Sequence, residues 1–348
     1  MRKFSVRRRL CQLAAWGAFL LMLAPVRAAA PEVKLSDLEE GEPLLSQSMQ
    51  PQVVRVPETT QEDLWECAVT LLTGRSLTQE QAEALFSRLT QDSQLLEQLE
   101  WEKPADQVLA CLSQPGGRAE LLDRYRAWTE QYPEESPENV VLQVNMDADR
   151  TYYEDVRTAQ EPDSLMVLVN KHNALPKDYV PRLEALEPIY GGGELRPEAA
   201  QAFRLMADAA REEGVSLRSV SAYRSYKTQI STYGRYLRQY RQATVDTFSA
   251  RPGHSEHQTG LALDINTASS RDHFETTEAF AWLQENCTQY GFILRYAKGK
   301  EHITGYRFEP WHYRYVGVET AQACMDQGLA YEEYLALLPC WGSEEQEP

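Results

Sequence analysis

The run "GLALDI", residues 260–265, limits what this chain can fold into more than any other stretch. Leu261, Ala262, Leu263 and Ile265 read as a short, buried strand. Inside that run sits one acid, Asp264. A carboxylate among apolar neighbours is costly unless something pairs with it. The fold must therefore build a core around this strand and also bring a partner to Asp264. The residues just upstream, "RPGHSEH" (251–257), supply His254, Ser255 and His257 as candidates.

The two ends of the chain read differently. "MRKFSVRRR" is basic, and "LCQLAAWGAFLLMLA" (10–24) is an apolar run of export-signal length. Val26 and Ala28 place cleavage after Ala28, so the expectation is an exported protein of the cell envelope or exterior; an uncleaved membrane anchor is the alternative. Residues 1–28 hold six basic residues and no acid, which leaves 29 basic against 52 acidic residues. That balance argues against a nucleic-acid partner, which attracts basic faces. Residues 29–58 are polar and proline-bearing, as in a linker. Residues 59–132 repeat apolar positions at helical spacing in "TTQEDLWECAVTLL", "LTQEQAEALFSRL" and "AELLDRYRAWTEQY". They predict a helical domain that carries no recognisable chemistry, with a second linker over 133–162. Of the cysteines after residue 28, Cys67 with Cys111 and Cys324 with Cys340 are possible pairs, which leaves Cys287 over.

Between 163 and 340 the pattern mixes helix and strand. "RPEAAQAFRLMADAAREEG" (196–214) opens with proline, closes with glycine and carries Ala199, Phe203, Met206 and Ala210 on one face. "VSLRSVSAY" (215–223) alternates as a strand. A helix follows from about Ser225, another spans "TTEAFAWLQENCTQYG" (276–291), and "FILRYAKGKEHITGYRFEPWHYRYVG" (292–317) reads as strands around a Lys-Gly turn. The fold class this predicts is α+β: a small antiparallel sheet flanked by helices, preceded by a helical N-terminal region.

The chemistry-bearing residues fit a metal. Zinc takes His, Cys, Asp or Glu, and a catalytic site uses three protein ligands. His257 and Asp264 can be two of them if the chain turns at Gly260, and "EPWH" (309–312) offers His312 as a third with Glu309 close by. A carboxylate beside a metal-activated water is the base that hydrolysis needs. Spacing alone leaves a merely hydrogen-bonded histidine open.

The wording of these blocks closely resembles the VanY-like zinc D-alanyl-D-alanine carboxypeptidases of the vancomycin-resistance type. Their pattern is Ser-x-His-x-x-Gly-x-Ala-x-Asp followed by Glu-x-x-His. Here Ser255, His257, Gly260, Ala262 and Asp264 fill the first part, and Glu309 and His312 the second. "SAYRSYKTQ" (221–229) and "LVNKHNALPKDYVP" (168–181) resemble two upstream blocks of that family, so the resemblance covers roughly 163–338. It implies a Zn2+ cofactor held by His257, Asp264 and His312. It implies Glu309 as catalytic base, Arg224 as oxyanion or substrate ligand, and Ser255 and Gln229 as pocket residues. The substrate it implies is a peptidoglycan stem peptide ending in D-Ala-D-Ala, cut to release the terminal D-alanine. A D,D-dipeptidase, an L,D-carboxypeptidase, a cell-wall endopeptidase or a non-catalytic wall-binding module are the alternatives.

Other residues are expected to be structural. His254 is expected at the pocket rim or on the surface, and His172, His273 and His302 in solvated turns. Trp311 is expected to pack beside the metal, and the tyrosines of 232–242 to form a packed helix face.

Overall fold

The computed structural model describes residues 77–91, 106–267 and 273–338. Two compact units divide after Gln114. The described part of the first holds helices α1 (Gln79–Gln91) and α2 (Asp106–Ser113), which bury Ala82, Leu85, Val108, Leu109 and Leu112. Residues 59–76 and 92–105 of the expected helical domain, and the linker expected before it, lie outside the described residues.

The second unit begins at Pro115, which changes the expected boundaries. The stretch 133–162 is no linker. It contains α4 (Pro137–Asn145), capped by the Ser136 hydroxyl and burying Val140, Val141 and Val144. Before it, α3 (Leu122–Gln131) buries Leu122 and Tyr125, and Arg124 of α3 pairs with Asp147 just after α4. Proline and acidic residues look linker-like in composition, but Pro137 stands at the first helical position, where its missing N–H has no partner to lose.

One helix and four strands form the centre. Helix α5 (Pro197–Glu212) has proline at its start, Glu198 in its first turn and Arg211 in its last, and it buries Ala199, Phe203, Met206 and Ala210 as its spacing predicts. It packs on a four-stranded antiparallel sheet of β1 (Arg218–Ser221), β2 (Ala262–Asn266), β3 (Phe292–Leu294) and β4 (His312–Tyr315), in the order β1-β2-β4-β3. The expected α+β architecture is the one the chain adopts. Around the sheet lie α6 (Tyr226–Leu237), α7 (Glu278–Asn286), α8 (Val318–Gln327) and α9 (Tyr331–Leu337). Between β3 and β4 the chain makes the Lys298–Gly299 turn and then a helical turn, Glu301–Thr304, rather than continuous strand.

The sheet separates core from site by simple alternation. Leu263 and Ile265 of β2 and Tyr313 of β4 point into the core with Phe203, Phe292 and Leu283. Asp264, His312 and Arg314 therefore occupy the opposite face. Register completes the arrangement, because Asp264 stands opposite both Ser221 of β1 and His312 of β4. Asp264 finds its partner across the ladder.

Candidate active site

Two local turns and the end of β1 deliver the remaining side chains. Ser255 leads into a short 3-10 turn, Glu256–Thr259, which ends at Gly260 in the left-handed conformation (φ 70°). That turn carries His257 back over β2. Its Nδ1 bonds the Ala222 carbonyl at 2.8 Å, so that nitrogen carries the proton and Nε2 keeps a lone pair. Glu309 is tied to His312 by a tight turn, the His312 N–H donating to the Glu309 carbonyl at 3.1 Å. This is the physical content of the Glu-x-x-His spacing. Arg224 follows β1, and its N–H donates to the His257 carbonyl at 3.1 Å.

The side chains converge. Asp264 Oδ1 lies 3.4 Å from His257 Nε2 and 3.2 Å from His312 Nδ1. One ligand atom from each of the three residues lies within 4.8 Å of the other two. Glu309 Oε2 is 3.8 Å from His312 Nδ1, and Arg224 Nη2 is 3.8 Å from Asp264 Oδ2. All of them line one cleft of about 680 Å3, together with Ser255 and Gln229.

A cation fits this donor set. Asp264 Oδ1 is buried and receives no hydrogen bond, although two imidazole nitrogens flank it. A buried acceptor left in this way loses free energy unless a cation takes its place among the partners. The protonation energetics agree. Burial would raise Asp264, but His257 and His312 beside it hold it below the usual carboxylate range. Burial would lower His312, but Asp264, Glu256 and Glu309 outweigh it and push its pKa up to about 9. Negative charge therefore converges on His312, while burial and the neighbouring Arg224 lower His257 and favour its neutral form. Two histidines and a carboxylate form a zinc-type donor set.

Glu309 behaves differently from Asp264. Burial, with Asp264 adding to it, pushes its pKa up to about 8 against the pull of His312, Arg224 and Arg307. Two carboxylates in one cleft thus have proton affinities driven apart, the arrangement expected of an acid–base group beside a ligand.

Several expectations shift at the level of contacts. Gln229 is buried and fully engaged: its Oε1 accepts Arg224 Nη1 at 2.9 Å and its Nε2 donates to the Ala250 carbonyl at 2.7 Å. With Ser221 Oγ on Nη2, it holds the guanidinium in place. His254 is neither rim nor surface. It is buried, bonded to the Asn170 carbonyl and edge-on to Tyr153. His172 is buried against Tyr152 rather than solvated, whereas His273 and His302 are exposed. Trp311 is 39% exposed on the cleft wall, not packed away. Of the helix tyrosines, Tyr233 is buried, while Tyr236 and Tyr240 flank Phe248 and Tyr236 lines the cleft. Cys111, Cys287 and Cys324 are buried free thiols, and Cys67 and Cys340 lie outside the described residues.

A second group of residues went unnoticed in the sequence. Glu256, Arg295, Arg314 and Glu332 form a buried charge cluster directly behind His312. Glu256 accepts Arg295 at 2.8 Å and Arg314 at 3.0 Å, and Arg295 forks onto Glu332 at 2.8 and 2.6 Å. Burial would raise Glu256, but the two guanidiniums hold it below the usual carboxylate range.

Comparison with known proteins identifies the family. The family model VanY: D-alanyl-D-alanine carboxypeptidase matches residues 192–318, which include all seven expected site residues. The Bacillus subtilis protein YodJ, which carries a carboxypeptidase name, is 38% identical over 225 residues, 59% of this chain and 82% of that protein. A D-alanyl-D-alanine carboxypeptidase of Enterococcus faecalis is 38% identical over 184 residues, 50% of this chain and 67% of that protein. Among solved structures, a vancomycin-resistance D,D-pentapeptidase VanY in complex with Zn(II) is 38% identical, with a TM-score of 0.44, over 49% of this chain and 98% of that one. Motif, register and identity over most of these relatives' length lead to one conclusion: the chain belongs to the VanY family of D-alanyl-D-alanine carboxypeptidases.

Proposed function

We propose that this protein is an exported zinc carboxypeptidase that removes the terminal D-alanine from peptidoglycan stem peptides ending in D-Ala-D-Ala. The observation that carries the reading is the convergence of His257 Nε2, Asp264 Oδ1 and His312 Nδ1 with the Glu309 carboxylate beside them. Zinc, when bound by those three residues, supplies Lewis acidity and a water of lowered pKa. The chain's own residues do the rest. Glu309 accepts a proton from the water that attacks the scissile carbonyl carbon. As the C–N bond breaks, it returns that proton to the departing amine. Arg224, its fork fixed by Gln229 and Ser221, faces the negative charge that develops on the carbonyl oxygen or the substrate's terminal carboxylate. Ser255 and the exposed Trp311 shape the cleft wall.

Export through residues 1–28 would bring the enzyme to this substrate. Those residues lie outside the described part, and no helix of the described residues is long and apolar enough to cross a membrane. Cell fractionation with an antibody to the protein tests the location: recovery in the wall or medium supports export, and recovery with cytoplasmic markers contradicts it. The activity is tested by incubating purified protein with a pentapeptide ending in D-Ala-D-Ala. Free D-alanine supports the proposal, whereas released D-Ala-D-Ala dipeptide moves it to a different cut.

A further inference from the structure

Glu256 immediately precedes His257, and its side chain has no solvent exposure. Only one of its oxygens is used by the two arginines: Oε1 accepts both Arg295 Nε and Arg314 Nη1. Its Oε2 is buried and accepts no hydrogen bond. It faces His312 Nε2 at 3.6 Å, and that nitrogen is also buried and without a partner. An unmatched acceptor and an unmatched donor site therefore point at each other in the interior. Left alone, each would lose the free energy of a buried hydrogen bond, and an approach of about 0.5 Å joins them.

The carboxylate is clamped from both sides. Arg295 is fixed by its fork onto Glu332 of α9, and Arg314 by the Leu165 and Val167 carbonyls at 3.0 and 2.9 Å. Glu256 thus presents Oε2 to His312 from a rigid mount. An imidazole that donates from Nε2 keeps its lone pair on Nδ1, the atom beside Asp264 Oδ1. A carboxylate behind a ligating histidine both selects the tautomer and strengthens the ligand.

We infer that Glu256 is a positioning residue for the metal: it holds His312 as the Nε2–H tautomer, with Nδ1 turned toward His257 and Asp264. The inference rests on the zinc reading of the previous section.

The test is zinc affinity, measured on the full chain by competition with a chromophoric chelator after stripping. Three proteins are compared: wild type, Glu256→Gln and Glu332→Gln. Each has its thermal midpoint measured in the metal-free form. A glutamine at 256 must turn its amide NH2 toward either the arginines or His312, setting donor against donor. Glu332→Gln removes a charge from the same Arg295 but does not reach His312. The expected result is zinc binding weakened about 10- to 100-fold in Glu256→Gln. Glu332→Gln should stay within about threefold of wild type even where its midpoint falls as far. Equal weakening in both variants, or none in Glu256→Gln, overturns the inference while leaving the metal reading intact. Wild type that fails to bind zinc overturns the metal reading and this inference with it. Should Glu256→Gln not fold, zinc-loaded wild type labelled with 15N-histidine decides. A slowly exchanging His312 proton on Nε2 supports the assignment, and a His312 proton on Nδ1 overturns it.

Discussion

Glu309 and Arg224 are the residues on which the chemistry turns, and each makes its own prediction. Glu309→Gln keeps the shape of the side chain and removes the base. Turnover should fall about 10²- to 10⁴-fold, while zinc content by elemental analysis stays near wild type. Arg224→Lys keeps the charge and loses the fork held by Gln229 and Ser221. Steady-state kinetics should show kcat/KM reduced by about 10²-fold, and an unchanged value would remove Arg224 from the active machinery. At this scale the sequence was most legible where motif spacing mirrors a geometric need. His257 and Asp264 flank a turn that Gly260 permits, and Glu309 and His312 share another. The charge cluster behind them was illegible. Glu256, Arg295, Arg314 and Glu332 find their partners 37 to 58 residues away, and each read alone looks like an ordinary solvated charge. His254 and His172 were misread for the same reason, since only the tertiary fold buries them.

At the scale of elements, a turn bears on the site and a buried lysine on the stability of the fold. Gly260 ends the 3-10 turn at φ 70°, and a Cβ there would come within 3.1–3.2 Å of Leu183, Arg196 and Pro181. Gly260→Ala should destabilise the fold by about 1–2 kcal/mol, read as a lower midpoint in chemical denaturation. Lys171 sits among Tyr152, Tyr153 and Tyr306 and donates to the Asp246 carbonyl at 2.6 Å. Burial, with Arg251 adding to it against Asp246, pushes its pKa down to about 8. Between that pH and about 10.5, the ordinary lysine value, the unfolded chain holds the extra proton, so stability contributed by this site rises with pH across that window. The stability of wild type relative to Lys171→Met should therefore increase by about 2 kcal/mol between pH 7.5 and 10, and a decrease would contradict the assignment. Helices and the central strand were readable here because proline, glycine and apolar spacing mark them locally. The region between β3 and β4 was not, since its aromatic residues suit strand and loop equally.

For the molecule as a whole, the division after Gln114 sets the expectation that the site belongs to the second unit alone. A chain starting at Pro115 should fold cooperatively and keep kcat/KM within about twofold of the full chain. A large loss would assign the first unit a part in catalysis. The sequence placed the domain boundary too late, at 132, because α3 repeats the helical apolar spacing of the segments before it, and the proline and acids around α4 looked like a linker. Only their burial against the second unit's own core shows where they belong. The measurement that tests the central claim most directly is product analysis on a pentapeptide ending in D-Ala-D-Ala, run with zinc, with chelator and with Glu309→Gln. The account predicts free D-alanine with zinc, lost on chelation, restored by added zinc and absent with the variant. Undiminished D-alanine release from chelated protein or from Glu309→Gln would contradict it.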